Sequence, residues 1–298
     1  MPFFSIIIPT YNRAHTLRRP IDSILAQTFT DWELIIVDDG STDDTKEIIE
    51  AYKDPRIRYV WQENQERSAA RNHGINLAKG EWVCFQDSDD EYLPEHLQVL
   101  NEGIQTHPEY KVFRTGLFIF DDGKYIGKSG IQAINKYDQY PFECIHSYCF
   151  RDEILLKEKF NPTLFIGEDL NFLIRIGKIQ PVYQIIEWTG IHNYDAKSSG
   201  GIGPKYEINL NNKILGLDEI LSWHEIPIRY YLTRQRCLAE ILLLFGHFKY
   251  NSNKILMGIT RNFQCFSRFP KEYTKLIIRI IYVKITEWLG FNHSTGRF

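Results

Sequence analysis

Short apolar runs that stop abruptly at polar clusters constrain this chain more than anything else in it. Ser5-Ile6-Ile7-Ile8-Pro9 gives way to Thr10-Tyr11-Asn12-Arg13, Trp32-Glu33-Leu34-Ile35-Ile36-Val37 runs into Asp38-Asp39-Gly40-Ser41, and Trp82-Val83-Cys84-Phe85 delivers Gln86-Asp87-Ser88-Asp89-Asp90. Near-continuous apolar runs of this length read as parallel strands covered on both faces. Arg58-Tyr59-Val60-Trp61 reads as a further strand. Helical patterns separate them: one through Ile21, Ile24 and Leu25, one that Ser41 or Thr42 can cap with Asp43 and Asp44 near its positive end, and Ser68 to Ala78 with Gly80 as its stop. Pro20 is awkward unless it lies in a first turn, because proline removes a helical donor. This alternation predicts an α/β chain with a right-handed, Rossmann-like, mostly parallel sheet and helices on both faces. Ligands of such sheets bind beyond the carboxyl ends of the strands, where the three polar clusters fall.

The last cluster is the most demanding. Asp87, Asp89 and Asp90 place three carboxylates within four residues. At the tip of a buried strand they need a counter-charge, and a hard divalent cation, Mg2+ or Mn2+, is the simplest one for oxygen donors. The plain alternative is an acidic turn that caps the following helix. No G-x-G-x-x-G follows the first strand and no G-x-x-x-x-G-K-[ST] occurs, so neither a dinucleotide fingerprint nor a P-loop is present.

The five cysteines (Cys84, Cys144, Cys149, Cys237, Cys265) are odd in number and form no C-x-x-C pair, which argues for a reducing compartment and against a disulfide or zinc framework. Neither a signal peptide nor a membrane-spanning run is expected. Residues 1–212 carry 22 basic against 32 acidic residues, whereas 213–298 carry 13 against 6, so the two parts face different partners.

The motifs above, together with Gln27-Thr28-Phe29, Asp43-Asp44-Thr45 and Ala69-Ala70-Arg71-Asn72, resemble the nucleotide-sugar half of a family 2 glycosyltransferase of the GT-A fold. The resemblance covers roughly residues 3–195 and weakens after Asp90. It implies a catalytic domain over 1–212, with a nucleotide-sugar half to about residue 105 and an acceptor half from about 106, and leaves 213–298 as a basic helical extension. Pro9, Tyr11 and Asp39 are then expected to hold the base and ribose, with Asp89, aided by Asp87, on the metal ion and Ser88 beside the donor. Arg67 and Arg71 are placed to approach the diphosphate, although both read equally as solvated helix arginines.

Beyond Asp90, Tyr110 to Phe120 and Lys124-Tyr125-Ile126 flank Asp121-Asp122-Gly123 and predict a β-hairpin. Gly167-Glu168-Asp169 resembles the family segment whose Asp is the catalytic base; Glu168 in that role, or acids that merely favour a helix start, are the alternatives. His192 is expected as a metal or phosphate contact, and Ser198 to Gly203 as a mobile loop. The resemblance thus implies an inverting, metal-dependent transfer of sugar from a nucleoside diphosphate donor, with UDP the commonest nucleotide, to a hydroxyl of a growing polysaccharide or glycolipid. A nucleotidyltransferase or a non-catalytic nucleotide-sugar-binding protein are the competing classes. No nucleic-acid partner is expected. A cytoplasmic location is, with residues 275–289 as a contact for the inner membrane face.

Overall fold

In the computed structural model, residues 1–129, 144–164 and 167–194 are described. The extension over 213–298, the loop at 198–203 and the basic apolar segment at 275–289 lie outside them. The chain runs β1 (Phe4–Thr10), α1 (Arg18–Leu25), β2 (Trp32–Asp38), α2 (Thr45–Glu50), β3 (Ile57–Trp61), α3 (Glu66–Leu77), β4 (Trp82–Phe85), β5 (Glu91–Tyr92), α4 (His96–Thr106), β6 (Val112–Asp121) and β7 (Lys124–Ser129). A short 3-10 turn (Ile145–Ser147) then leads to β8 (Tyr148–Arg151), α5 (Asp152–Leu155), α6 (Glu168–Ile179) and β9 (Val182–Tyr194).

All nine strands form one sheet in the order β3-β2-β1-β4-β8-β6-β9-β5, with β7 beside β6. The first four strands are parallel, as their continuous apolar runs predict. Past β4 the pairing becomes mixed: β8 runs antiparallel to both β4 and β6, while β6 and β9 are parallel. The expected hairpin is present as β6 and β7, paired antiparallel.

Alternate strand residues enter different cores, as the two-residue period of a strand requires. Ile6, Ile8, Leu34, Ile36 and Cys84 pack on one face with Ile21 and Ile24 of α1 and Leu97, Leu100 and Ile104 of α4. Ile7, Val83 and Phe85 pack on the other with Ile75 of α3 and Phe172, Leu173 and Ile176 of α6. Gly74 lets α3 lie close against β1, because a Cβ there would come within 2.4 Å of Ile7 Cγ2.

Two local expectations need correction. Neither Ser41 nor Thr42 caps α2, whose N-cap position is Asp44. Ser41 instead joins two loops: its Oγ accepts from Asn12 N at 2.8 Å and its N donates to Asp38 Oδ1 at 2.8 Å. Pro20 is the third residue of α1, inside the first turn, where no intrahelical donor is lost. Among the described residues, no helix is long and apolar enough to cross a membrane.

Candidate active site

The parallel strands deliver their polar ends to one edge of the sheet. Thr10 and Asp38 are register partners at the ends of β1 and β2, and Asp39 N donates to Thr10 O at 2.8 Å. Asp38 is held by Ser41 N and by Tyr59 Oη at 2.8 Å each. Buried Asp39 accepts from Gln62 Nε2 at 2.6 Å and from Gln65 N at 2.9 Å. Its burial is therefore satisfied by protein donors before any nucleobase arrives. Pro9 is buried at the end of β1, and Tyr11 next to it is 47% exposed. The loop also reaches the acidic cluster, with Arg13 Nη2 4.0 Å from Asp89 Oδ2.

Arg71 of α3 organises the centre. Its buried guanidinium donates to Asp87 Oδ1 at 2.9 Å, to Asp169 Oδ1 at 2.7 Å and to Glu168 Oε1 at 3.3 Å. Burial pulls its pKa down, but the charges of Asp169, Asp87 and Glu168 more than offset this and hold it cationic. Burial likewise pushes Asp87 upward, and Arg71 with His146 overrides it, leaving Asp87 well below the usual carboxylate range. Arg71 is thus enclosed by carboxylates. Arg67, 57% exposed with Nη1 3.5 Å from Glu168, is the one with an open guanidinium.

Asp169 sits in the first turn of α6, where Gly167 at φ +77° occupies the N-cap position. A left-handed backbone there costs a side-chain-bearing residue about 1–2 kcal/mol, which glycine avoids. The Asp169 side chain keeps 26% exposure while bonded to Arg71. Its pKa is pushed up to about 7: burial raises it, Arg71 opposes, and Glu168 and Asp87 add to the rise.

On the far side of Asp87, Asp90 is buried and bolts β9 to the acidic loop. Its Oδ1 accepts from Asn193 N at 2.8 Å, and its Oδ2 lies 3.0 Å from His192 Nδ1 and 3.1 Å from His146 Nδ1. Burial lowers both imidazoles, yet Asp90 raises His146 to about 10, helped by Asp87, and His192 to about 12. His192 therefore faces Asp90 and Cys144 Sγ, the latter 3.7 Å from Nδ1. Asp89 is raised by burial first and then by the neighbouring charges of Asp90 and Asp87, against which Arg13 and His192 pull. Ser88 is buried within the same loop.

Sequence reasoning missed His146 and the partnership of Asp90 and Cys144. The spacing Cys144-Ile145-His146 is a recognisable metal-ligand pattern, but its partners stand about fifty residues away on both sides and only the sheet brings them together.

The acids suit a hard cation. Asp87, Asp90 and His146 offer donor atoms within 4.8 Å of one another, and the like charges that raise Asp89 are the kind a divalent ion relieves. Oxygen donors with one imidazole fit Mg2+ or Mn2+.

Comparison with known proteins places this geometry. A putative glycosyltransferase of Bacillus subtilis, EpsE, is 37% identical over 125 residues, which cover 41% of this chain and 45% of that protein. An uncharacterized glycosyltransferase of Rickettsia felis is 36% identical over 151 residues, covering 50% of this chain and 22% of that protein. The matched segment thus spans less than half the length of either relative. The crystal structure of S. aureus TarS 1-349 in complex with UDP-GlcNAc superposes with a TM-score of 0.61 at 22% identity over 84% of this chain and 74% of that one, which speaks to the shared GT-A fold. The model of the family described as "Glycosyl transferase family 2" matches residues 5–157, just over half of the chain, and the chain belongs to that family.

Proposed function

We propose that this protein is an inverting glycosyltransferase that moves a sugar from a nucleoside diphosphate donor, a UDP-sugar, to a hydroxyl of a polysaccharide or glycolipid acceptor. One observation carries the reading: Asp87 at the end of β4 and Asp169 at the start of α6 meet on one guanidinium, at 2.9 and 2.7 Å. The acid loop of the parallel half and the acid of the mixed half therefore share one cleft. The family membership supports the class of reaction, and the S. aureus neighbours solved with UDP and with UDP-GlcNAc support the class of donor.

Asp39, Pro9 and exposed Tyr11 line the place for the base and ribose, with Asp39 already oriented by Gln62 and Gln65. Arg67 and Ser88 face the diphosphate. Asp87 and Asp89 hold the cation, with Asp90 and His146 behind them; bound there, Mn2+ or Mg2+ supplies Lewis-acid neutralisation of the leaving diphosphate. Asp169 takes the proton of the acceptor hydroxyl as its oxygen bonds to the anomeric carbon and the carbon–oxygen bond to the diphosphate breaks. A base with a pKa of about 7 is suited to that task near neutral pH. Arg71 keeps the Asp169 carboxylate ionised and aimed. A single displacement inverts the anomeric centre.

A panel of radiolabelled nucleoside diphosphate sugars tests this. Labelled acceptor product from a UDP-sugar is expected, together with UDP-induced thermal stabilisation that a chelator removes. Donor binding without transfer to any saccharide acceptor, or stabilisation indifferent to the chelator, overturns the corresponding part of the reading.

A further inference from the structure

We propose that Cys144, His146 and His192 form a binding site for a divalent transition metal ion of zinc's type, distinct from the acids that face the donor. One donor atom from each lies within 4.8 Å of the other two, and they come from separate segments, the turn before β8 and the end of β9. A thiolate with two imidazoles is the ligand set that a borderline-soft ion selects over Mg2+ or Mn2+. The distances are close to what such an ion needs: Cys144 Sγ stands 3.9 Å from His192 Nε2. Ligand bonds of about 2.0–2.3 Å in a tetrahedron put sulfur and nitrogen about 3.6 Å apart, so a small side-chain rotation completes the fit.

Two further observations point the same way. His146 is fully buried, and neither of its ring nitrogens has an aligned hydrogen-bond partner among the described residues, an expensive state for a core histidine that awaits no ligand. Asp90 stands behind both rings, its Oδ2 3.1 Å from His146 Nδ1 and 3.0 Å from His192 Nδ1. A carboxylate at the back of a metal-binding imidazole is what fixes the ring and strengthens it as a ligand. Three protein ligands leave a tetrahedral ion one further position, for water or a fourth group. The ion's role is to clamp the turn at 144–147 and the end of β9 onto the acidic loop through Asp90, which holds the donor-facing carboxylates in place.

Cobalt substitution in the full chain reads this directly, because Co2+ bound to a thiolate gives a sulfur-to-metal charge-transfer band and tetrahedral ligand-field bands that oxygen-only sites lack. One equivalent of Co2+ is expected to produce both, and Zn2+ to bleach them. Cys144→Ser is expected to abolish the charge-transfer band with the far-ultraviolet spectrum of the fold unchanged, and His192→Gln to weaken Zn2+ binding at least about tenfold, as the loss of a ligand should at a minimum. Asp89→Asn, which alters the donor-facing acids, leaves the band in place. Absence of the band in the parent chain, its persistence in Cys144→Ser, or its loss in Asp89→Asn overturns the proposal. None of these outcomes bears on whether sugar transfer occurs.

Discussion

The two halves of the described chain build their site residues in different ways. In the parallel half, Asp38 and Asp39 are held by neighbours on adjoining strands and loops, Ser41, Tyr59, Gln62 and Gln65, and each acid is satisfied where its strand ends. In the mixed half, Asp169 and His192 are fixed by partners about a hundred residues away, Arg71 and Asp90. The first arrangement is local and stands on strand ends alone. The second exists only once the whole sheet has closed, so the catalytic acid is coupled to the donor side by two buried charges.

That comparison is broken most forcefully at Asp169. Asp169→Asn is expected to lower transfer by about 10²–10⁴-fold, the usual worth of a general base, with UDP affinity unchanged because no parallel-half contact is touched. Radiochemical transfer and calorimetric UDP binding, measured on one preparation, check it; equal losses in both would tie Asp169 to donor binding instead.

Next in size is the coupling itself. Arg71→Met leaves Asp87, Glu168 and Asp169 crowded without their shared cation, and removing one partner of a buried charge cluster costs about 3–5 kcal/mol. Denaturant unfolding should register that loss. A change below 1 kcal/mol, on the order of a surface substitution, would mean the guanidinium does not join the halves.

The smallest expected effect sharpens the description of the α6 start. Gly167→Ala meets no atom within 4 Å of its new Cβ, so its cost is the left-handed backbone alone, about 1–2 kcal/mol in stability with UDP affinity unaltered. Unfolding free energy and UDP titration measure both.

Much of this was legible in the residues, and unevenly so. Ile6-Ile7-Ile8, Leu34 to Val37 and Trp82 to Phe85 carry their burial in their own composition, so the parallel strands and the edge where their acids gather followed from pattern. The β6–β7 hairpin followed from its Asp-Gly turn. The mixed pairing of β8 and β9 did not, since Tyr148 to Arg151 is too short to declare its direction and a strand's partner is set by tertiary packing. Arg71 illustrates the same limit at the site. Nothing in Ala69-Ala70-Arg71-Asn72 distinguishes a phosphate-binding arginine from one enclosed by Asp87, Glu168 and Asp169, because the enclosing acids arrive from 16 to 98 positions away. His146 was invisible for the same reason, its meaning residing in Asp90, Cys144 and His192.

The pH dependence of kcat/KM tests the central claim most directly. The Asp169 carboxyl has a reference value of 3.8 and a folded value of about 7, so between these the folded chain binds its proton more tightly than the unfolded chain does. The stability this group contributes is therefore present at acid pH and falls away as pH rises to about 7, while its basic form, the one that accepts the acceptor's proton, appears over the same rise. Transfer should climb through an ionisation near 7 to a plateau. Because Arg71 lowers this pKa, Arg71→Met, in preparations that remain folded, should move the climb to higher pH. A profile flat across that range, or a climb that stays where it is when Arg71 is replaced, would contradict the account.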